Sequence, residues 1–390
     1  MKICSAICEY NPFHLGHLKH LNYIKENLNP DYTVIFMSGN FTQRGEGAIL
    51  DKYTRAIHAI KAGADIVIEL PTVFALSNAE IFAKGGVKLI NSLPKPNDIC
   101  FGTETNDLNG LISVAKELSI ESDDFKKVLK RELDNGEPLV KARITALKES
   151  TNGNVDLSFV NSPNNILAIE YVKAILENNY DLSIKPIKRE GDNYNSAKIQ
   201  KDCPSALAIR QAIKDGKINK TKNFVPNFVY KDLPKTLPSF DKEIIFSLLK
   251  QSKTDISKIT DCSEGLENKI KALIKDNYTL DDLLFKLKSK RYTEARLKRI
   301  LYSSMLNITK DFTLKCLNSD LYLKVLAVNK NKENILSDLS QSKYPLITRK
   351  SDVNKLSGVA LDCFNKDIEA NDIYNLVTNK TTNEFEMKII

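Results

Sequence analysis

Continuous apolar runs alternate with helically spaced segments along the first hundred residues. Ile3–Cys8, Thr33–Met37, Asp65–Leu70 and Asp98–Phe101 read as buried strands. Between them, Leu18, Leu21, Ile24 and Leu28 predict a helix. Lys52–Ala62 predicts a second, stopping at Gly63, and Ala75–Leu93 a third, interrupted at Gly85-Gly86. Apolar strands separated by helices predict a parallel sheet covered on both faces. Such sheets bind ligands at the carboxyl ends of their strands. Polar loops starting near Glu9, Ser38 and Gly102 all lie on that edge.

The pattern then changes. Leu108–Asn179 reads as mostly helical, with a helix over Ile166–Glu177 opened by Ser162-Pro163-Asn164-Asn165. Asp181–Ile187 is a further strand, followed by Lys188-Arg189-Glu190-Gly191, and Ser205 starts another helix. Beyond Lys231 helices dominate: Asp241–Lys250, Glu264–Lys275, Leu280–Lys288 and Thr293–Leu306. Val225–Pro238 reads as a linker, and 320–390 carry mixed short signals. The expected architecture is α/β: a Rossmann-like parallel-sheet domain over 1–225, then a mainly helical, basic domain over 235–390.

Composition narrows the class. A 42% hydrophobic content over 390 residues supports a globular core. The net charge of +8 suits a polyanionic partner without requiring one. Seven scattered cysteines have no zinc-site spacing and fit a reducing compartment. No apolar leader and no stretch of membrane-span length stand out, so a cytoplasmic protein with no membrane partner is expected.

The chemistry concentrates near the start. All four histidines lie within the first 58 residues, three of them in Asn11-Pro12-Phe13-His14-Leu15-Gly16-His17-Leu18-Lys19-His20. Imidazoles flanking a glycine at a strand-to-helix turn suit a nucleotide phosphate. The glycine permits close approach, the helix N-terminus offers N–H groups, and the imidazoles donate to developing negative charge. No GxxxxGK[ST] loop is present, and no GxGxxG follows the first strand. Ser205 and Arg210, at a helix start, suit phosphate oxygens. The loop Asn40–Glu46, followed by Asp51, Lys52 and Arg55, is dense in polar groups. Asn40, Gln43, Arg44 and Lys52 are candidates for an acceptor-substrate wall. Lys286–Arg299 carries seven basic residues and one acid, Glu294, with Tyr292 among them to stack on a base.

His14-Leu15-Gly16-His17 matches the HxGH pattern of HIGH-type nucleotidyltransferases. Further motifs follow in order: Glu9-Tyr10-Asn11-Pro12-Phe13-His14-x-Gly16-His17, Met37–Glu46, Gly63–Pro71, Phe101-Gly102-x-Glu104, Ser162–Leu167, Lys188-Arg189, Ser205–Arg210 and Lys290–Thr293. Together they resemble the bacterial tRNA(Met) cytidine acetate ligase family, over most of the chain to about residue 306. One departure is Gly47, where the family is expected to carry proline. The resemblance implies that acetate attacks ATP to give acetyl-adenylate and pyrophosphate. The wobble cytidine of elongator tRNA(Met) then takes the acetyl group as N4-acetylcytidine. His14 and His17 would be catalytic. Ile7, Glu9, Asn11, Pro12, Phe13, Gly16 and His20 would line the ATP site. Gly102, Asn165 (or its neighbour Asn164), Lys188, Arg189, Ser205 and Arg210 would add nucleotide contacts. Lys290, Arg291, Arg296 and Arg299 would hold the tRNA. Mg²⁺ would enter as the ATP counterion, since the sequence shows no metal-ligand cage. The rival readings are a small-molecule adenylyltransferase acting on a phosphorylated cofactor precursor, and a non-catalytic RNA-binding protein.

Overall fold

Five parallel strands form the heart of one sheet: β1 (Ile3–Cys8), β2 (Tyr32–Ser38), β3 (Ile66–Leu70), β4 (Asn97–Thr103) and β5 (Ser183–Lys188). The computed structural model describes residues 1–137, 139–151, 157, 160, 162–188, 204–263, 265–276, 279–289 and 292–390. The spatial order is β3-β2-β1-β4-β5. The chain starts in the middle, steps outward through β2 and β3, and returns to the other side of β1 with β4. That reversal opens a crevice at the carboxyl ends of β1 and β4, where open α/β sheets take ligands.

The apolar runs are strands because both faces are covered. Along β2, Val34 and Phe36 join one core layer, Ile35 and Met37 the other. The early helices are α1 (Leu15–Tyr23), α2 (Lys52–Lys61), α3 (Ala79–Asn91), α4 (Leu108–Ile120), α5 (Pro163–Glu177) and α6 (Ala206–Lys214). α1, α2 and α6 pack on one face, and α3, α4 and α5 on the other. α3 runs through Gly85-Gly86 unbroken, contrary to the expected interruption. A Cβ at Gly86 would sit 2.5 Å from Cδ1 of Ile7, so glycine lets α3 approach the end of β1.

Helices do follow the fifth strand: α7 (Asp241–Lys250), α8 (Leu280–Leu287), α9 (Glu294–Met305) and α10 (Lys310–Asn318). The chain then returns to the first sheet. β6 (Leu323–Val328) pairs antiparallel with β3, and both β7 (Leu346–Ile347) and β8 (Lys388–Ile389) pair parallel with β6. α11 (Gly358–Thr378) lies between these last two strands in sequence. The mixed signals over 320–390 are therefore sheet edge and its covering helix, and the sheet draws on both of the expected domains.

A buried ionic cluster closes this seam. Lys52 Nζ lies 2.9 Å from Glu69 Oε1 and 2.6 Å from Glu384 Oε1. Lys324 Nζ lies 3.0 Å from Glu69 Oε2 and also pairs with Glu384. Two cations against two carboxylates satisfy the rule that buried charge must be paired. An aromatic knot ties the helical layer on as well. Phe41 packs edge-on against Phe240 (ring centroids 5.3 Å apart), Tyr302 (6.0 Å) and Tyr374 (6.4 Å).

Candidate active site

The turn from β1 into α1 is capped by the histidines themselves. His14 is the N-cap residue, and its Nδ1 accepts the N–H of Gly16 at 3.0 Å. Nδ1 of His17 accepts the N–H of His14 at 3.2 Å. This is a reciprocal capping box with imidazoles in place of the usual Ser and Glu. An Nδ1 that accepts a hydrogen bond carries no proton, so each neutral ring bears its proton on Nε2. The rings stack with centroids 3.7 Å apart, and Tyr10 packs 4.8 Å from His17. Both line a cleft of about 680 Å³, within the size range of nucleotide-sized ligands.

The cleft sits at the β1/β4 reversal. Ile7 and Glu9 line it from the end of β1, Gly102 from β4 and Lys188 from β5. Asn164 enters from α5 and Arg210 from α6. Gln43 and Arg44 come from a short hairpin pairing Phe41–Thr42 with Glu46–Gly47. Asn11, Gly16 and His20 complete the predicted residues on the wall. His20 Nε2 lies 3.2 Å from Cys100 Sγ.

The hairpin is held from several sides. Glu9 Oε1 accepts the N–H of Gln43 at 2.7 Å. Burial pushes the Glu9 carboxyl above its ordinary range, and that hydrogen bond opposes the push. Arg210 Nη1 donates to the Asn11 carbonyl at 2.7 Å, while Nη2 lies 2.7 Å from Glu46 Oε1. Gly45, at φ +73°, lies against the backbone of α9, where a Cβ would come 2.7 Å from Cβ of Lys298. Beneath the loops, fully buried Arg55 donates to four carbonyls: Leu50 (2.9 Å), Glu9 (2.6 Å), Ser38 (3.0 Å) and Gly39. One guanidinium thus fixes the loops that follow both β1 and β2.

Several expected residues lie off the wall. Phe13 and Pro12 are buried under the turn. Ser205 caps α6, its Oγ accepting the N–H of Ala208 at 3.2 Å. The adjacent asparagines separate. Asn164 lines the cleft and donates to Glu104 Oε1 at 2.6 Å, whereas Asn165 is wholly buried and accepts the N–H of Glu104 at 2.7 Å. Asn40 and Lys52 do not reach the cleft. Asn40 accepts the N–H of Lys52 at 2.8 Å and donates to Asn371 at 2.9 Å, and Lys52 belongs to the ionic cluster. Arg296 donates to the Asp261 carbonyl and to Ser263 Oγ. Arg299 pairs with Asp261 at 2.9 Å and reaches the Gln43 carbonyl at 3.4 Å. Both arginines are thereby committed to internal contacts. Tyr292 is buried and donates to the Ser263 carbonyl, with Arg296 stacked on its ring. Arg189, Lys290 and Arg291 lie outside the described residues.

Sequence reasoning missed the far end of the cleft. Lys19, Tyr23 and Asn27 line it from one face of the first helix and its extension. Their spacing of four residues puts them on the face that Gly16 and His20 share, which was the available signal. Among the described residues, no three His, Cys, Asp or Glu side chains converge to hold a metal ion. Nor, among them, is any helix long and apolar enough to cross a membrane.

Comparison with known proteins agrees with the geometry. The model of the HIGH Nucleotidyl Transferase family matches residues 1–388. A tRNA(Met) cytidine acetate ligase of Thermoanaerobacter sp. is 41% identical over 388 residues, covering 96% of this chain and 95% of its own. One from Clostridium perfringens is 40% identical over 392 residues, covering 97% and 96%. The crystal structure of apo Thermotoga maritima TmcAL superposes with a TM-score of 0.91 at 28% identity, each chain fully covered. The form bound with alpha-thio ATP gives 0.90, again at 28% identity with full coverage. With the histidine turn, the strand reversal and the full-length similarity all in agreement, this chain belongs to the tRNA(Met) cytidine acetate ligase family of HIGH nucleotidyl transferases.

Proposed function

We propose that this chain acetylates the wobble cytidine of elongator tRNA(Met), using acetate and ATP. The observation that carries the reading is that His14 and His17, each accepting a backbone N–H at Nδ1, line one cleft with the Arg210 guanidinium at the strand reversal. The relatives' name and the alpha-thio ATP bound to the Thermotoga protein support it.

An acetate oxygen attacks the α-phosphorus of ATP. The bond to the bridging oxygen breaks, its electron pair leaves with pyrophosphate, and acetyl-adenylate forms. Carboxylate is already anionic, so the step needs alignment and charge stabilisation more than a base. His14 and His17 donate from Nε2 to the oxygens that gain charge. Arg210 holds the triphosphate, Gly102 and Asn164 flank the nucleotide, and Gln43 and Arg44 face the acceptor side. The cytidine N4 then attacks the acetyl carbonyl, loses a proton, and AMP departs. Mg²⁺ would travel with the ATP phosphates. The described residues form no carboxylate cage for it.

For the tRNA, Arg299 is tied to Asp261 and the hairpin, and Arg296 to Asp261 and Ser263, so neither is the main RNA contact. The RNA-facing groups are exposed Lys286 and Lys288 beside Phe285, which is 84% exposed at the end of α8. Lys214 at the end of α6 lies 3.5 Å from Asp281 on α8, which places α8 within roughly 15 Å of Arg210. The test is labelled acetate with ATP and total tRNA. Label recovered as N4-acetylcytidine with release of AMP supports the reading. ATP consumption with no label in tRNA, and AMP retained in a small product, would overturn it.

A further inference from the structure

We propose that Glu46 is a resident anion on Arg210, displaced when the nucleotide triphosphate arrives, and that this exchange frees the 41–47 hairpin. The proposal rests on the placement of Arg210 against the triphosphate given above.

Arg210 lines the cleft with only 5% of its surface exposed. Its two terminal nitrogens differ. Nη1 makes an aligned bond to the Asn11 carbonyl. Nη2 is buried and lies 2.7 Å from Glu46 Oε1, yet it has no aligned hydrogen bond. Glu46 therefore balances the charge of the guanidinium without satisfying its donors. The same Oε1 is 3.4 Å from Asn11 Nδ2, also a long contact. A phosphate group offers several oxygens and can meet a guanidinium fork in line. Glu46 remains 26% exposed, so water can take over its carboxylate once it leaves. The guanidinium is buried and its contact to Glu46 is unaligned, so a triphosphate can displace the carboxylate by bringing more negative charge and aligned oxygens to the same nitrogens.

The exchange has a mechanical consequence. Glu46 stands in the second strand of the hairpin, and Gln43 and Arg44 at its tip face the cleft. Besides the aromatic packing of Phe41, the hairpin tip is tied by the Glu9 contact to Gln43 N–H, the Arg299 contact to the Gln43 carbonyl, and Gly45 against α9. Losing the Arg210 tie leaves the tip held between Glu9 on one side and α9 on the other. Triphosphate occupancy is thereby reported to the helical layer, and linkage makes the coupling reciprocal.

The experiment titrates ATP, pyrophosphate and AMP into wild type, Glu46→Gln and Arg210→Lys by calorimetry. Hydrogen exchange of residues 41–47 is followed with and without ATP. In Glu46→Gln, ATP and pyrophosphate should bind about three- to fivefold more tightly while AMP is unchanged. Hairpin exchange should already be fast without nucleotide, whereas in wild type it quickens only on adding ATP. Unchanged or weaker ATP binding in Glu46→Gln, or AMP gaining equally, overturns the proposal. If Arg210→Lys binds ATP like wild type, the placement of Arg210 itself fails, whatever Glu46→Gln does. Glu46→Asp, which keeps the charge on a shorter arm, should fall between wild type and Glu46→Gln. It serves as the test if the glutamine variant does not fold.

Discussion

Replacing His17 by asparagine separates two jobs that one imidazole performs. Nδ1 of His17 accepts the His14 N–H at 3.2 Å, and the asparagine Oδ1 can stand in that position. The cap then survives, but the Nε2–H donor to the reacting phosphate is gone. One preorganised donor to developing charge is worth a factor of about 10²–10³ in rate. Stability should fall only by the lost ring contacts with His14 and Tyr10, about 1 kcal/mol. His17→Ala loses the cap as well, for roughly a further 1 kcal/mol. The assay is acetate-dependent ATP–pyrophosphate exchange, with thermal melts of both variants alongside. Asparagine and alanine should be equally inactive and unequally stable. Asparagine retaining activity within threefold of wild type would refute the tautomer and the role assigned to it.

Arg55→Met leaves the carbonyls of Leu50, Glu9, Ser38 and Gly39 without their donor. With partial relaxation, roughly 3–6 kcal/mol of stability should disappear, and ATP binding with it, as read by denaturant titration and calorimetry. Burial, with Glu69 nearby, raises the Asp367 carboxyl to about 7. A raised carboxyl stabilises the native state fully below its unfolded value near 4, and that contribution is lost as pH rises through 7. Asp367→Asn should therefore flatten the stability profile between about pH 4 and 7, by at most a few kcal/mol; a wild-type slope retained in the variant would count against the assignment. Lys286→Glu with Lys288→Glu should weaken tRNA binding at least tenfold and reduce its salt dependence, leaving pyrophosphate exchange intact. Loss of exchange would place these lysines at the adenylation site instead.

The first sheet was legible because its strands are apolar on both faces and its helices follow ordinary periodicity. The histidine turn was legible because three imidazoles in seven residues have no packing explanation. The closing strand was not. Lys324 interrupts its apolar run, and only the distant carboxylates of Glu69 and Glu384 make that position tolerable. Likewise, Asn40, Lys52, Arg296 and Arg299 have polar side chains whose partners lie far off in sequence. From composition they resemble site residues, and from the fold they are internal ties. Asn164 and Asn165 could not be told apart until the helix face was known.

The antiparallel pairing of β6 with β3 also bears on how the chain is born. β3 is complete at residue 70, yet its outer neighbour begins at residue 323. At ~5–20 residues per second, a ribosome leaves that edge uncovered for roughly 12–50 s. An open apolar strand edge invites pairing with another nascent chain. Glu69, the fourth of the five residues of that strand, has no Lys324 to meet during this interval. With only Lys52 beside it, this charged pair lacks its Lys324 and Glu384 partners and opposes intermolecular stacking until the late strand arrives to complete the cluster. The same carboxylate that is locked in the finished molecule thus guards the unfinished one against aggregation.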